Sequence, residues 1–279
     1  MTNQLNIADI KHFLEEDVGT GDLTADIIPE NTQAEAEVIT REPMVLCGRS
    51  WFDAVFKQLD VNASINWQVA EGDSVSQDTI LCKLKGSARS LLTGERTALN
   101  LLQTLSATAT VAKQYAQAVS GTGCKVLDTR KTLPGLRNAQ KYAIACGGCY
   151  NHRVGLYDGV LIKENHIIAA GSIAKAVQAA REKSSVPVEV EVESLQEFEQ
   201  AALAKPDRIM LDNFTLEDMR TAVSQNAGAI ELEASGNIDL KNIRSIAETG
   251  VDYISIGALT KNVSAVDLSM RIKLVTGDD

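Results

Sequence analysis

The stretch from Cys124 to His166 concentrates groups that can hold an anion. It carries Arg130, Lys131, Arg137, Lys141, His152, Arg153 and Lys163, and with His152 and His166 it holds two of the chain's three histidines. The protein as a whole is acidic, with a net charge of −10 at pH 7. A local knot of cations therefore stands out against the background field and can gather a negatively charged ligand. Arginine forks grip carboxylate and phosphate oxygens two at a time, so a ligand bearing phosphate and carboxylate groups suits the cluster. A solvated loop and helix face is the plain alternative. Gly147-Gly148 allows a tight turn or a close approach to the backbone. Cys146 and Cys149 form a C-x-x-C, but there is no second such pair, and the two glycines between them have a backbone explanation without zinc or redox chemistry.

Acids and small residues follow the cations. Residues 188–193 read VEVEVE and put Glu189, Glu191 and Glu193 on one face of a strand. If that face is interior, the charges need cations, a metal or water; an edge strand with one wet face is the alternative. Asp212 with Glu191 makes a hard-oxygen pair suited to Mg²⁺, which takes one or two carboxylates together with substrate phosphates. Glu231 and Glu233 repeat the alternation. Ser235, Gly236 and Asn237, and then Gly257, Ala258 and Leu259, occupy the last two turns and can offer backbone N–H groups to a phosphate.

These residues need a scaffold that brings strand ends together. From Lys125 onward short apolar runs recur at 125–128, 159–163, 188–192, 208–211, 230–232 and 253–256, separated by helical segments such as 172–183, 195–203, 216–225 and 240–248. Strand alternating with helix means parallel βα units. Six of them suit an open or irregular α/β barrel, with a doubly wound sheet as the structural runner-up. Chemistry in such barrels gathers at the C-terminal strand ends. The first part of the chain differs: a helix over 6–16, a strand over 34–46, a helix over 50–59, strands over 65–69 and 79–84, and a long helix from 90 to about 119. The expected organisation is a smaller N-terminal α/β sandwich over 1–112 and a barrel over 113–262, with 263–279 packing back on the first domain. The segment EDVGTGDLT lacks the third glycine and the preceding strand of a dinucleotide fingerprint, and reads as a capped, turn-rich loop.

Composition excludes several classes. Aromatics are only 4%, too few for a base-stacking surface. The acidic balance argues against binding nucleic acid or an anionic membrane. No basic leader followed by an apolar run opens the chain, and no stretch has the apolar length of a membrane span. Five scattered cysteines fit a reducing, cytoplasmic setting.

Taken in order, EDVGTGDLT, GERTALNLLQ, DTRKTLPGLR, KYAIACGG followed by NHR, GVLIKENH, VEVEVES, IMLDNF, IELEASGNI and YISIGALTK resemble the quinolinate phosphoribosyltransferase family, from about residue 16 to 261. The resemblance implies a type II phosphoribosyltransferase fold. It also implies transfer of the phosphoribosyl group of 5-phosphoribosyl-1-pyrophosphate (PRPP) to quinolinate with decarboxylation, giving nicotinate mononucleotide for NAD synthesis. It further implies a homodimer with shared active sites. On that resemblance Arg130, His152, Arg153 and Lys163 hold quinolinate, and Arg96 is donated by the partner subunit. Lys131, Glu191 and Asp212 surround the ribose, pyrophosphate and Mg²⁺, while 235–237 and 257–259 surround the 5′-phosphate. Cys149 stands where the family more often has a small residue, and Lys261 where some members have histidine. Two further readings stay open: a sister enzyme acting on nicotinate or another pyridine, and a Schiff-base lyase using Lys163. A small-molecule sensor built on an enzyme fold is the non-enzyme alternative.

Overall fold

The computed structural model describes residues 6–275. By internal contacts the chain divides into two compact units: Met1–Ala112 with Leu133–Gly147 and Asn262–Asp279, and Lys113–Thr132 with Gly148–Lys261.

The first unit opens with α1 (Ile7–Val18), capped where the Asn6 side chain accepts the Ala8 N–H at 3.1 Å. The EDVGTGDLT loop is capped as its composition predicts. Asp22 accepts the backbone N–H groups of Thr24 and Ala25, each at 3.0 Å, and the Thr93 hydroxyl at 2.8 Å. These bonds hold its carboxyl below the usual range, with the Ala25 N–H the largest cause. The strand expected over 34–46 is two strands, β1 (Gln33–Thr40) and β2 (Met44–Val45). Pro43, which has no N–H to give a ladder, falls in the break. Next come α2 (Arg49–Leu59), β3 (Ser64–Trp67), β4 (Ser74–Val75), β5 (Ile80–Ser87) and the long helix α3 (Ala88–Ala118). A later helix of this unit, α4 (Arg137–Cys146), had no separate signal in the sequence reading.

The last strand of the chain, β12 (Leu268–Val275), pairs antiparallel with β1, giving the sheet order β12-β1-β5-β3. One face of β1 buries Ala34, Ala36 and Val38, while Glu35 and Glu37 on the other pair with Lys85 and Lys83. The aromatic face of α2 is buried, with Phe52 5.0 Å from Phe56 and 5.3 Å from Trp67. Gly94 lets α3 approach that face: a Cβ there would lie 2.8 Å from Phe56.

The second unit is a parallel βα array. Its strands are β6 (Lys125–Leu127), β7 (Val160–Ile162), β8 (Val188–Val192), β9 (Arg208–Asp212), β10 (Glu231–Ser235) and β11 (Tyr253–Ser255). They form one sheet in the order β6-β11-β10-β9-β8-β7, every neighbouring pair parallel, open between β6 and β7 among the described residues. The intervening helices are α5 (Glu164–Ala170), α6 (Ile173–Lys183), α7 (Leu195–Ala204), α8 (Leu216–Asn226), α9 (Ile243–Ala247) and α10 (Ala258–Lys261). Three start on a hydroxyl cap that turns the chain: Ser172, Ser194 and Thr215 accept the N–H groups of Lys175, Glu197 and Asp218. Val188, Val190 and Val192 of β8 are buried, as are Ile209 and Leu211 of β9, Leu232 and Ala234 of β10 and Ile254 of β11.

Candidate active site

β8 lies between β7 and β9, so the edge-strand alternative for VEVEVE does not hold. Register places its glutamates on the acidic inner face. Glu189 pairs with Arg208, Glu191 with Met210, and Glu231 and Glu233 of β10 with the same two residues from the other side. Glu189 and Glu233 are buried, Glu233 fully. Arg208 is the cation that makes this tolerable, and His152 adds a second polar partner. Arg208 Nη1 reaches Glu233 at 3.1 Å and Nη2 reaches Glu231 at 3.1 Å, with the guanidinium 4.0 Å from the Tyr253 ring centroid. The Tyr253 hydroxyl donates to Glu231 at 2.9 Å.

His152 Nε2 lies 2.8 Å from Glu189 and 3.5 Å from Glu233. Its Nδ1 accepts the Arg153 backbone N–H at 2.8 Å, which assigns the proton to Nε2. Burial pushes the His152 pKa down, but the Glu189 hydrogen bond and the charges of Glu233 and Glu189 lift it above the ordinary value overall. The backbone before it is pinned by Asp128, fully buried at the end of β6, which accepts the His152 N–H and the Asn151 amide, both at 2.8 Å. Glu233 is pushed up to about 7, by burial first and by Glu189 second, with His152, Ser255 and Arg208 acting the other way.

Arg153 donates to the Gly159 carbonyl at 2.9 Å, at the start of β7. Burial lowers its pKa, and the nearby positive charge of Arg130 lowers it further. Two guanidinium groups thus sit in each other's field. A cleft of about 170 Å³ at the N-terminal ends of β7 to β10 is lined by Arg153, His152, Glu189, Arg208 and Glu231, opposite the strand ends that carry Lys163, Asp212 and Ser235. Lys163 follows β7 at its other end, and its ammonium pairs with Glu191. Asp212 ends β9, next to β8. It accepts from Asn213 at 2.7 Å, and Asn213 in turn accepts from Asn237 at 3.2 Å. Asn213 and Asn237 both take left-handed φ, at 57° and 50°. Gly236 (φ 96°) is obligatory, since a Cβ there would meet Asn213 Oδ1 at 2.2 Å.

Lys131 lies along the other small-residue turn. A Cβ on Gly257 would come within 2.9 Å of Lys131 Cδ, and Thr260 donates to the Lys131 carbonyl at 2.7 Å. Leu259 is buried, so only its backbone can serve a ligand, whereas Ala258 is partly exposed. Arg96 is an exposed residue of α3 in the first unit. The structure therefore gathers Arg130 with Arg153, Lys163 with Glu191, Asp212 with the 235–237 turn, and Lys131 with the 257–259 turn. Arg208, Glu233, Tyr253 and Asp128 were not among the sequence candidates. The signal for Arg208 was present: two strands of alternating acid flank a strand that begins with arginine.

Residues 22–106 match the family model described as quinolinate phosphoribosyl transferase, N-terminal domain, and residues 108–271 match its C-terminal domain. The chain belongs to the quinolinate phosphoribosyltransferase family. Among curated relatives, a probable nicotinate-nucleotide pyrophosphorylase (carboxylating) of Bacillus subtilis is 40% identical over 267 residues, covering 95% of this chain and 92% of the relative. The nicotinate-nucleotide pyrophosphorylase (carboxylating) of Mycobacterium leprae is 39% identical over 274 residues, covering 94% and 95%. A solved nicotinate-nucleotide pyrophosphorylase from Francisella tularensis superposes with a TM-score of 0.93 at 48% identity, covering 97% of this chain and 98% of that one. The small antiparallel sheet and the six-stranded parallel array are thus the quinolinate phosphoribosyltransferase architecture, and the barrel reading of the sequence stands over the doubly wound one.

Proposed function

We propose that this chain transfers the phosphoribosyl group of PRPP to quinolinate with decarboxylation, yielding nicotinate mononucleotide, pyrophosphate and carbon dioxide in NAD biosynthesis. Full-length relatives that carry out this carboxylating or decarboxylating chemistry by name support the reading. The observation that carries it in this chain is the Arg130–Arg153 pair. Burial and the charge of Arg130 both weigh on the Arg153 guanidinium while Glu189 and Asp158 favour it, and an anionic ligand would favour it further. Quinolinate offers two adjacent carboxylates, and nicotinate only one.

Arg130 and Arg153 bind and orient those carboxylates. His152 acts behind them: Nδ1 fixes the Arg153 backbone while Nε2–H ties it to Glu189. Lys163 reaches the ligand from the far end of β7 after exchanging Glu191 for a substrate carboxylate. Lys131 meets the pyrophosphate, and the turns at 235–237 and 257–259 present backbone N–H groups to the 5′-phosphate. Glu191 and Asp212 offset positive charge on the ribose ring as the bond to pyrophosphate breaks. Their carboxylates lie at or next to the ends of adjacent strands and are partly exposed, a donor set that fits Mg²⁺. When bound, Mg²⁺ supplies charge neutralisation for the pyrophosphate leaving group. The quinolinate nitrogen is the nucleophile, so no Schiff-base lysine is needed, and the resulting pyridinium draws the electrons left by the departing carboxylate.

The working unit is a homodimer in which Arg96 enters the partner's site. Five cysteines without disulfides among the described residues support a reducing, cytoplasmic setting, and none of the described helices is long and apolar enough to cross a membrane. The test is equilibrium dialysis of quinolinate. Quinolinate should bind far more tightly than nicotinate, and Arg153→Ala should weaken it by about 2–3 kcal/mol, roughly 30- to 150-fold in Kd. Equal affinity for the two pyridines, or an unchanged Kd in the variant, would remove the arginine pair from substrate recognition.

A further inference from the structure

We propose that Cys47 and Cys146 are a redox-active pair that closes to a reversible disulfide on exposure to a peroxide. Cys47 lies just before Gly48, the N-cap of α2, and is fully buried, while Cys146 is the last residue of α4 and is partly exposed. Although far apart in sequence, their sulfurs lie within 4.8 Å of each other and of a Glu71 carboxylate oxygen. Cys146 Sγ also lies 3.8 Å from the Leu46 carbonyl, which fixes its direction toward the start of α2. Gly72 (φ 87°) brings the adjoining turn against this sulfur, 3.6 Å from where a Cβ would stand.

A metal could use two thiols and a carboxylate, but Glu71 already serves the backbone. Its two oxygens accept the Gly48 and Arg49 N–H groups at 2.7 and 3.2 Å, capping α2. That leaves two sulfurs facing each other. The thiols are not equivalent. Cys47 is pushed up by the contact with Cys146 and then by burial, whereas Cys146 is lowered chiefly by the hydrogen bond from Cys47. Burial pushes Cys124 and Cys149 up to about 12, and Cys82 higher still. Cys146 is thus the partly exposed thiol of the pair, and the contact with Cys47 lowers its pKa against the opposing burial and Glu71 charge, which favours it as the one that meets an oxidant.

The Cys146 thiolate attacks one oxygen of hydrogen peroxide. The O–O bond breaks, and the departing hydroxide takes a proton to become water, leaving Cys146 as the sulfenic acid. Cys47 then gives up its proton, its sulfur attacks the Cys146 sulfur, and the S–O bond breaks to release a second water. Two thiols lose two electrons, and the peroxide is reduced to two waters. A dithiol reverses the bond. The disulfide would staple the end of α4 to the start of α2 within the first unit.

The test is peptide mapping of the purified full-length protein. It is treated with hydrogen peroxide, quenched with N-ethylmaleimide, unfolded and digested without reductant. The expected result is a fall from five alkylatable thiols to three, since the chain holds five cysteines in all. A cross-linked pair of peptides carrying Cys47 and Cys146 should be lighter by two hydrogens, and dithiothreitol should abolish it. Cys47→Ala, which removes the resolving sulfur, should leave Cys146 as a sulfenic acid that dimedone traps; the wild-type map decides the matter even if that variant folds poorly. Five thiols still alkylated, Cys146 joined to Cys149, or Cys146 advanced to sulfinic acid without a cross-link would overturn the proposal. So would one equivalent of zinc that survives dialysis and protects both thiols.

Discussion

Replacing Glu233 by glutamine should change how stability depends on pH. Glu233 is fully buried and faces Glu189, His152, Arg208 and Ser255, with Glu231 on the same strand held by Arg208 and Tyr253. Its pKa is about 7 in the folded chain against an ordinary value of 4.5. The folded protein therefore holds this proton more tightly than the unfolded chain does. Below pH 4.5 both states are protonated and the group is neutral to stability. Between 4.5 and 7 the unfolded state ionises while the folded state resists, so stability falls as pH rises. The full loss from this group is roughly 3 kcal/mol, complete a little above pH 7. His152, whose pKa is also raised, acts in the same direction: its contribution is whole below pH 6.5 and is lost as pH climbs through its folded value. Glutamine carries no titrating proton. Urea unfolding at fixed protein concentration, run from pH 5 to pH 8, should show Glu233→Gln gaining on wild type by about 2–3 kcal/mol across that range. Parallel stability curves for the two proteins would refute the buried, proton-holding glutamate.

Two further changes separate the parts of the site. Gly257→Ala should push the Lys131 side chain aside, because the new methyl would sit 2.9 Å from Lys131 Cδ. Steady-state kinetics should show kcat/KM for PRPP falling about 10- to 100-fold with quinolinate affinity retained, and loss of quinolinate binding instead would place Lys131 elsewhere. Arg96→Ala and Lys163→Ala should each be inactive alone, yet regain activity when their subunits are exchanged, since one mixed site is then intact. No recovery after confirmed exchange would keep Arg96 out of a partner's site.

Much of the second unit was legible because parallel strands buried on both faces read as short apolar runs. The VEVEVE alternation announced an acidic interior for the same reason: charge at every second position of such a strand has to be paid for by a neighbour. Which neighbour was not legible, because Arg208 meets Glu233 only through the register of β9 against β10, a relation absent from local sequence. Helices α4 and α5 were not legible because α4 buries the polar Gln140 and Lys141 and α5 buries no residue, so neither shows a clean apolar period. The inward turn of His152 could not be foreseen either, since it depends on Asp128 pinning the backbone from another strand end. The Cys47–Cys146 pair joins positions that only the folded first unit brings together.

The central claim is most directly tested by incubating the purified protein with quinolinate, PRPP and Mg²⁺ while measuring carbon dioxide and pyrophosphate in the same reaction. Equal release of the two, dependent on both substrates, is the predicted result. Pyrophosphate released with nicotinate but not with quinolinate, or carbon dioxide released from quinolinate without PRPP, would contradict it.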